Sequence, residues 1–230
     1  MTNASPAVEE ILEQIQRLED TWGAARTKIL GQRLGLSLGT VTNTLSRLQR
    51  LGLARRVPYK GTQLTTEGRK VALSVLRRHR LLERLLTDVL HIRWSQAHDV
   101  ACKLEHAVDD EVANAIEGAL AYPKTCPHGN MIPPRAGKVT SQISTRLTEL
   151  SPHDAGTLVR VLDEEEEGAL EHLDSIGLKP GAEFTVDGCV PFDEAVVVRL
   201  GKSKVTVSKR AASLVAVKKR EKMRSSAGRA

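Results

Sequence analysis

Residues 35–70 read GLSLGTVTNTLSRLQRLGLARRVPYKGTQLTTEGRK, and their pattern decides the architecture of the first third of the chain. Ser37 is a good N-cap for a helix over 38–51, on which Val41, Leu45 and Leu48 form an apolar stripe. After Gly52 the run 53–59 (LARRVPY) is strand-like, Lys60-Gly61 marks a turn, and Gln63-Leu64-Thr65 begins a return strand. Upstream, residues 24–34 form a second helix with Ile29, Leu30 and Leu34 facing inward, joined to the third by the break Gly35-Leu36-Ser37. Two helices linked by a short glycine-containing turn make a helix-turn-helix, and the hairpin supplies a wing. Residues 7–20 precede them as a one-faced amphipathic helix carrying Val8, Ile11, Leu12, Ile15 and Leu18.

Charge gives this winged segment a chemistry. Residues 33–70 carry eight Lys/Arg against Glu67 alone, whereas residues 71–125 are almost balanced. A basic patch confined to one segment is the electrostatic footprint of a nucleic-acid binder. The polar side of the third helix offers Ser37, Gly39, Thr40, Thr42 and Asn43, small groups suited to base edges in a major groove. Arg47, Arg50, Arg55, Arg56 and Lys60 suit phosphate contacts, which hold register without reading sequence. A winged helix used for protein contact is the competing reading.

The wider composition bounds the rest. A chain of 230 residues suits one large domain or two to three small ones, and 40% apolar residues exclude a wholly disordered chain. With aromatics at 3%, the cores must be built from Leu, Val, Ile and Ala. No apolar run approaches the roughly 18 residues of a membrane span, and residues 1–6 lack the basic and apolar regions of a secretory signal. Cys102, Cys126 and Cys189 are odd in number and irregularly spaced, which is no disulfide framework. The expectation is a cytoplasmic protein with no membrane partner.

The middle of the chain gathers metal-ligating side chains. A helical stretch over 66–90 carries His79 and Glu83 four apart on one face. After a break near 93–95, a helix over 96–110 places His98, Cys102, Glu105 and His106 on one side. An imidazole, a thiol and carboxylates gathered together are costly to bury without a partner, and a divalent transition metal is the partner that wants that mixture. The Pro/Gly-rich loop 123–134 adds Cys126 and His128, two apart. Buried structural His and Cys are the plainer alternative.

The runs GLSLGTVTNTLSRLQRLGL, RRHRLLERLLTDVL, AHDVACKLEHAVDDEVA and CPHGNMIP together resemble the diphtheria-toxin-repressor family of iron- and manganese-dependent transcriptional regulators, over nearly the full length. The resemblance implies a mainly α fold with a small β-barrel: a winged helix-turn-helix over 1–70, a helical metal-binding and dimerisation domain over 71–136, a linker over 137–150 and a five-stranded barrel-like domain over 151–219. It implies two metal sites per subunit for Mn²⁺ or Fe²⁺. One would use Glu10, Cys102, Glu105 and His106. The other would use His79, Glu83 and His98, with Cys126 and His128 from the loop as in the manganese-type branch, and Asp163 or Glu164 from the acidic run 163–167. Glu166 and Glu167 compete for that last role, and Glu13 is a further carboxylate near Glu10. Iron-type members have Met where Glu10 stands and Cys at Cys102; manganese-type members have acidic residues at both. Glu10 and the CPHGN loop lean toward manganese, Cys102 toward iron.

In the C-terminal third, strands are expected over 157–162, 183–186, 195–200, 204–207 and 214–217, with a short helix over about 165–175. Residues 220–230 read as a basic, disordered tail. The function expected is a homodimeric, metal-activated DNA-binding regulator that represses metal-uptake genes by binding an inverted repeat. Two rivals stand beside it. One is a DNA-binding regulator whose metal is purely structural. The other is a zinc-type metalloenzyme, disfavoured because no His-Glu-x-x-His helix and no nucleophile elbow is present.

Overall fold

The structure is a computed structural model that describes residues 4–135, 145–191 and 193–220. The described residues fall into two compact units, residues 1–141 with 163–170, and residues 142–162 with 171–230.

The first unit begins with α1 (Pro6–Trp22), α2 (Thr27–Leu34) and α3 (Leu38–Arg50). Pro6 opens α1, where a missing N–H costs nothing, and Gly23 closes it in the left-handed region at φ 79°. Ser37 caps α3, its hydroxyl accepting from Thr40 N at 3.1 Å. Leu12, Ile15, Leu30, Val41, Leu48 and Ala72 meet in one core, so α3 and α1 share packing. Ile29 is the exception to the inward set, since it lies exposed. The wing pairs β1 (Ala54–Val57) with β2 (Gly61–Leu64), antiparallel from Ala54↔Leu64 to Val57↔Gly61. Its turn is formed by residues 58–60, with Tyr59 at positive φ, so Gly61 begins the return strand rather than completing the turn. Gly61 instead lets Ala25 approach: Thr62 N donates to Ala25 O at 2.8 Å, and a Cβ on Gly61 would stand 2.3 Å from that oxygen.

The helical part departs from expectation in a way that matters for the site. α4 (Thr66–Arg84) stops short of residue 90 and passes into a π-helical turn, Leu85–Val89. α5 (Ala97–Leu104) ends before Glu105, which with His106 lies in a turn, and α6 (Asp110–Ala119) follows as a separate helix. Ala97 and Ala101 are fully buried with Leu82 and Leu86, and their small side chains let α5 lie close to α4. That approach sets His98 and Cys102 beside His79.

The second unit is one antiparallel sheet of six strands in the order β3-β8-β4-β5-β6-β7. Its strands are β3 (Thr145–Arg146), β4 (Ala155–Val161), β5 (Glu183–Cys189), β6 (Val196–Leu200), β7 (Ser203–Val207) and β8 (Val215–Lys219). The expected five-stranded barrel is corrected on two points: there is a sixth, two-residue strand, and the edges β3 and β7 are not paired, so the sheet is open among the described residues. Register shifts at Leu158/Arg160 and Val186/Gly188 bend it. The expected helix over 165–175 starts later, as α7 (Ala169–Ser175), and α8 (Lys209–Ser213) was not anticipated. Most of the proposed linker and the basic tail beyond Arg220 lie outside the described residues. Among the described residues, no helix is long and apolar enough to cross a membrane.

Gly68 in the first turn of α4 gives a stability test. Glycine to alanine in a helix ordinarily stabilises by about 1 kcal/mol, but here the new Cβ would sit 1.9 Å from Leu53 O. Gly68→Ala should therefore destabilise by about 1–3 kcal/mol in chemical denaturation. An unchanged or raised midpoint would show that the wing and α4 are not packed this closely.

Candidate metal centre and nucleic-acid interface

His79 on α4 lies at the middle of a chain of ligating groups. Its Nε2 is 2.9 Å from Glu83 Oε1, one helical turn away, and 3.2 Å from His98 Nδ1 on α5. Its Nδ1 is 2.6 Å from Glu105 Oε2 and 4.0 Å from Cys102 Sγ. From the loop, His128 Nδ1 approaches Glu83 Oε1 at 3.0 Å, and Cys126 Sγ donates to Glu164 Oε1 at 3.6 Å. The loop is held there by its backbone: Arg84 donates to Thr125 O at 2.7 Å, Arg80 to Met131 O at 2.6 Å, and His128 Nε2 meets Trp94 O at 3.0 Å. Two four-residue groups result, His79-Glu83-His98-Glu164 and Glu83-Cys126-His128-Glu164, each with ligand atoms within 4.8 Å of one another and every member buried.

These groups fit a cation. Glu83 Oε2 is buried with no hydrogen-bond partner among the described residues, an expensive state for a carboxylate oxygen. The imidazoles supply charge meanwhile. Burial opposes protonation of His79, but the Glu83 carboxylate beside it raises its pKa well above the ordinary histidine value. Burial likewise opposes protonation of His98, yet hydrogen bonds with Cys102 and Glu83 lift its pKa to about 10. Burial and Glu83 both push Glu164 upward, and His128, Arg17 and His98 outweigh them, holding it at about 2. Burial and the nearby Glu83 and Glu164 push the Cys126 thiol well above its usual range.

A second group stands at the other end of the chain. Glu10, Glu105 and His106 have ligand atoms within 4.8 Å, with His106 Nε2 3.1 Å from Glu10 Oε2. Burial raises Glu105 to about 7, with the Glu13 carboxylate adding to the rise. Cys102 does not join this group. It lies 3.6 Å from His98 Nε2 and 4.0 Å from His79 Nδ1, the nitrogen that Glu105 Oε2 approaches at 2.6 Å. Glu13 groups with His79 and Glu105. Asp163 is placed elsewhere: its carboxylate accepts from Arg33 and from Glu165 N, and it joins none of these groups. Glu164 is the acidic-run residue that reaches the cluster, and residues 163–170 belong to the first unit rather than to the sheet.

Sequence reading missed three supporting residues. Glu9 Oε2 lies 2.9 Å from His106 Nδ1, and Glu9 was not among the residues that the sequence picks out on α1. Asn130, inside the quoted loop motif, donates to Glu164 Oε1 at 2.6 Å. Arg17 is the least expected: it is buried on α1, donates to Glu13 Oε1 at 2.7 Å and to Glu164 Oε2 at 2.8 Å, and gave no signal in a helix read as one-faced.

The residues singled out for nucleic acid share an exposed surface. Ser37, Gly39, Thr40, Thr42, Asn43, Arg47 and Arg50 are all exposed on or beside α3, as are Arg55, Arg56 and Lys60 on the wing. The Thr42, Thr44 and Ser46 hydroxyls donate back to α3 carbonyls, which fixes their rotamers and leaves lone pairs outward.

Comparison with known proteins covers most of the chain. Residues 3–62 match the family model "Iron dependent repressor, N-terminal DNA binding domain", residues 65–134 match "Iron dependent repressor, metal binding and dimerisation domain", and residues 145–219 match "FeoA domain". The iron-dependent repressor IdeR of Mycobacterium leprae is 33% identical over 231 residues, covering 95% of this chain and all of that protein. The diphtheria toxin repressor of Corynebacterium efficiens is 32% identical over 196 residues, covering 81% of this chain and 85% of that protein. Among solved structures, a manganese-dependent transcriptional repressor in complex with manganese superposes with a TM-score of 0.82 at 30% identity, over 92% of this chain and 99% of that one. IdeR of T. acidophilum superposes with a TM-score of 0.79 at 26% identity, over 91% and 96% of the two chains. The chain belongs to the iron-dependent repressor family, and is a metal-dependent transcriptional repressor with DNA-binding and dimerisation domains.

Proposed function

We propose that this repressor works as a homodimer activated by Mn²⁺, binds an inverted-repeat operator and silences metal-uptake genes in the cytoplasm. The observation that carries the metal reading is Glu83, whose buried Oε2 has no hydrogen-bond partner among the described residues while three imidazoles and Glu164 surround it. A divalent cation, when bound, supplies positive charge that the imidazoles otherwise supply by holding protons. His79, Glu83, His98 and Glu164, with Cys126 and His128, would hold one ion; Glu10, Glu105 and His106 would hold a second. The second set as grouped, Glu10, Glu105 and His106, offers oxygen and imidazole donors, which suit a hard ion such as Mn²⁺.

Arg17 connects this chemistry to DNA. Glu164 is both a candidate ligand and the acceptor of the Arg17 guanidinium, and Arg17 lies on α1, whose apolar face packs in the core that also holds α3. Glu10 and Glu9 contact His106 from the same helix. An ion that prefers one placement of α1 thus biases the placement of the recognition helix, which is coupling through differential affinity. Exposed Val89, Leu90, Leu104 and Val112 on the helical segment support a second copy as partner. The absence of any helix able to cross a membrane, among the described residues, and three free cysteines are compatible with the cytoplasm.

Mn²⁺ should raise affinity for an inverted-repeat operator by roughly 5–150-fold, read by fluorescence anisotropy with and without chelator. Equal affinity in chelator, with circular dichroism showing an intact fold, would refute activation by metal. A structural ion would instead show as unfolding on chelation.

Arg47 and Asn43 divide the interface by chemistry. Arg47→Ala should weaken operator and unrelated DNA alike and lower the salt slope by about one ion, as loss of a phosphate contact does. Asn43→Ala should cost about 1–3 kcal/mol on the operator only, as loss of a base contact does. If Arg47→Ala changed sequence preference and Asn43→Ala did not, the two roles would be exchanged.

A further inference from the structure

Tyr59, at the tip of the wing, breaks two local rules at once. It is the third residue of a four-residue turn, Val57-Pro58-Tyr59-Lys60, closed by Lys60 N donating to Val57 O at 3.1 Å. A positive φ at that position, here 61°, ordinarily calls for glycine or asparagine, and a tyrosine there holds its backbone under strain. Its side chain is also fully exposed, in a chain that has only two tyrosines, so the ring returns no packing for that strain. A residue that costs the fold stability in this way belongs to a functional site more often than to a scaffold.

The surroundings of Tyr59 point to its partner. Residues 53–66 contain no Asp or Glu, and Arg55, Arg56 and Lys60 are exposed around the tip, which favours a polyanion. The hairpin beneath is braced against the end of α1. Arg55 donates to Gln63 Oε1 at 2.8 Å, Gln63 donates to Gly23 O at 2.8 Å, and Thr62 exchanges two backbone hydrogen bonds with Ala25. A tip presented on so fixed a support loses little freedom on binding. The wing leaves the C-terminal end of α3 at Leu53, whose N donates to Leu48 O at 2.9 Å. A four-residue strand then carries the tip about 13 Å outward. With one turn of B-DNA near 34 Å, a minor groove lies about 17 Å from the centre of each major groove, within reach of a tyrosine on that tip. We propose that Tyr59 enters the minor groove next to the major groove that takes α3, its ring against the sugars and the groove floor, with Arg56 and Lys60 on the phosphates at either side. The proposal rests on α3 as the major-groove helix. It gives the wing a reading role beyond charge. Guanine raises a 2-amino group on the minor-groove floor, which obstructs the ring, while A·T pairs leave the floor open. Tyr59 thereby selects the composition of base pairs that α3 does not touch.

Tyr59→Gly separates function from fold because its two effects run in opposite directions. In the full-length chain it should raise the midpoint of chemical denaturation, since glycine suits the positive φ. On a duplex selected by the wild type from a random pool, with Mn²⁺ present, it should weaken binding roughly fivefold or more, read by fluorescence anisotropy. Tyr59→Phe, which keeps the ring, should bind within about twofold of the wild type. Three duplexes then locate the contact: each keeps the selected core and carries A·T, G·C or inosine·cytosine pairs on its flanks. The wild type should bind the G·C flanks more weakly than the other two, because inosine lacks the 2-amino group, and Tyr59→Gly should bind all three alike. Undiminished affinity in Tyr59→Gly, a loss in Tyr59→Phe as large as in Tyr59→Gly, or a wild type indifferent to the flanks would each overturn the proposal. A lowered denaturation midpoint in Tyr59→Gly would overturn it too, by showing that the ring serves the fold. Failure of α3 as the base-reading helix would appear elsewhere, as an Asn43→Ala chain that binds the selected duplex like the wild type.

Discussion

Glu83 is the group on which the organisation of the first unit depends. A fully buried carboxylate is tolerated only if cations or hydrogen-bond donors compensate it, and Glu83 draws three imidazoles from three different segments for that purpose. His79 comes from one turn earlier on α4, His98 from α5, and His128 from the loop after α6. Each of those segments is placed by its own packing. Ala97 and Ala101 bring α5 against α4, and Arg80 and Arg84 hold the loop by its carbonyls. One oxygen of Glu83 still lacks a partner among the described residues, and that deficit is the strongest single argument for a metal in this fold.

Arg17 extends the same electrostatic requirement to the DNA-binding half. Its guanidinium is buried between Glu13, Glu164 and Glu165, so α1 is packed on two faces, one apolar against α3 and one charged against the cluster. Burial opposes ionisation of Arg17, and the carboxylates around it, Glu13 foremost, more than compensate. Removing one partner from such a buried set typically costs about 3–5 kcal/mol, which makes the set responsive to any change in charge at its centre. A helix that carries both the core contacts of the winged motif and the charge contacts of the cluster is the physical means of coupling.

Much of this was legible in sequence, and the exceptions have physical causes. The helix-turn-helix and wing could be read because capping, apolar spacing and turn residues all point one way at Ser37, Val41 to Leu48 and residues 58–61. His79 and Glu83 were readable as a pair because their spacing is set within one helix. Cys102, which the resemblance groups with Glu10, Glu105 and His106, lies beside His79 and His98, and the helix that carries it ends at Leu104, before Glu105 and His106. Glu164 could not be told from Asp163, Glu166 or Glu167, since a run of acids carries no period. Arg17 was invisible because burial of a charged face is a tertiary event. In the sheet, β3 is two residues long, too short to leave a pattern, and its pairing with β8 joins residues far apart in sequence.

The central claim is that a divalent metal displaces protons from the imidazoles that neutralise Glu83 and Glu164. His79, His98 and His128 all have pKa values raised above the ordinary histidine value, against the opposing effect of burial, which favours protons on this cluster in the metal-free chain, with His98 at about 10. Metal binding must release them, and affinity must rise with pH over the neutral range because fewer protons remain to be displaced. Isothermal titration of Mn²⁺ in buffers of different ionisation enthalpy measures that release directly. The account predicts a net release of protons for each Mn²⁺ bound at pH 7 and tighter binding at pH 8. Binding enthalpies that do not vary with the buffer, together with an affinity flat in pH, would contradict it.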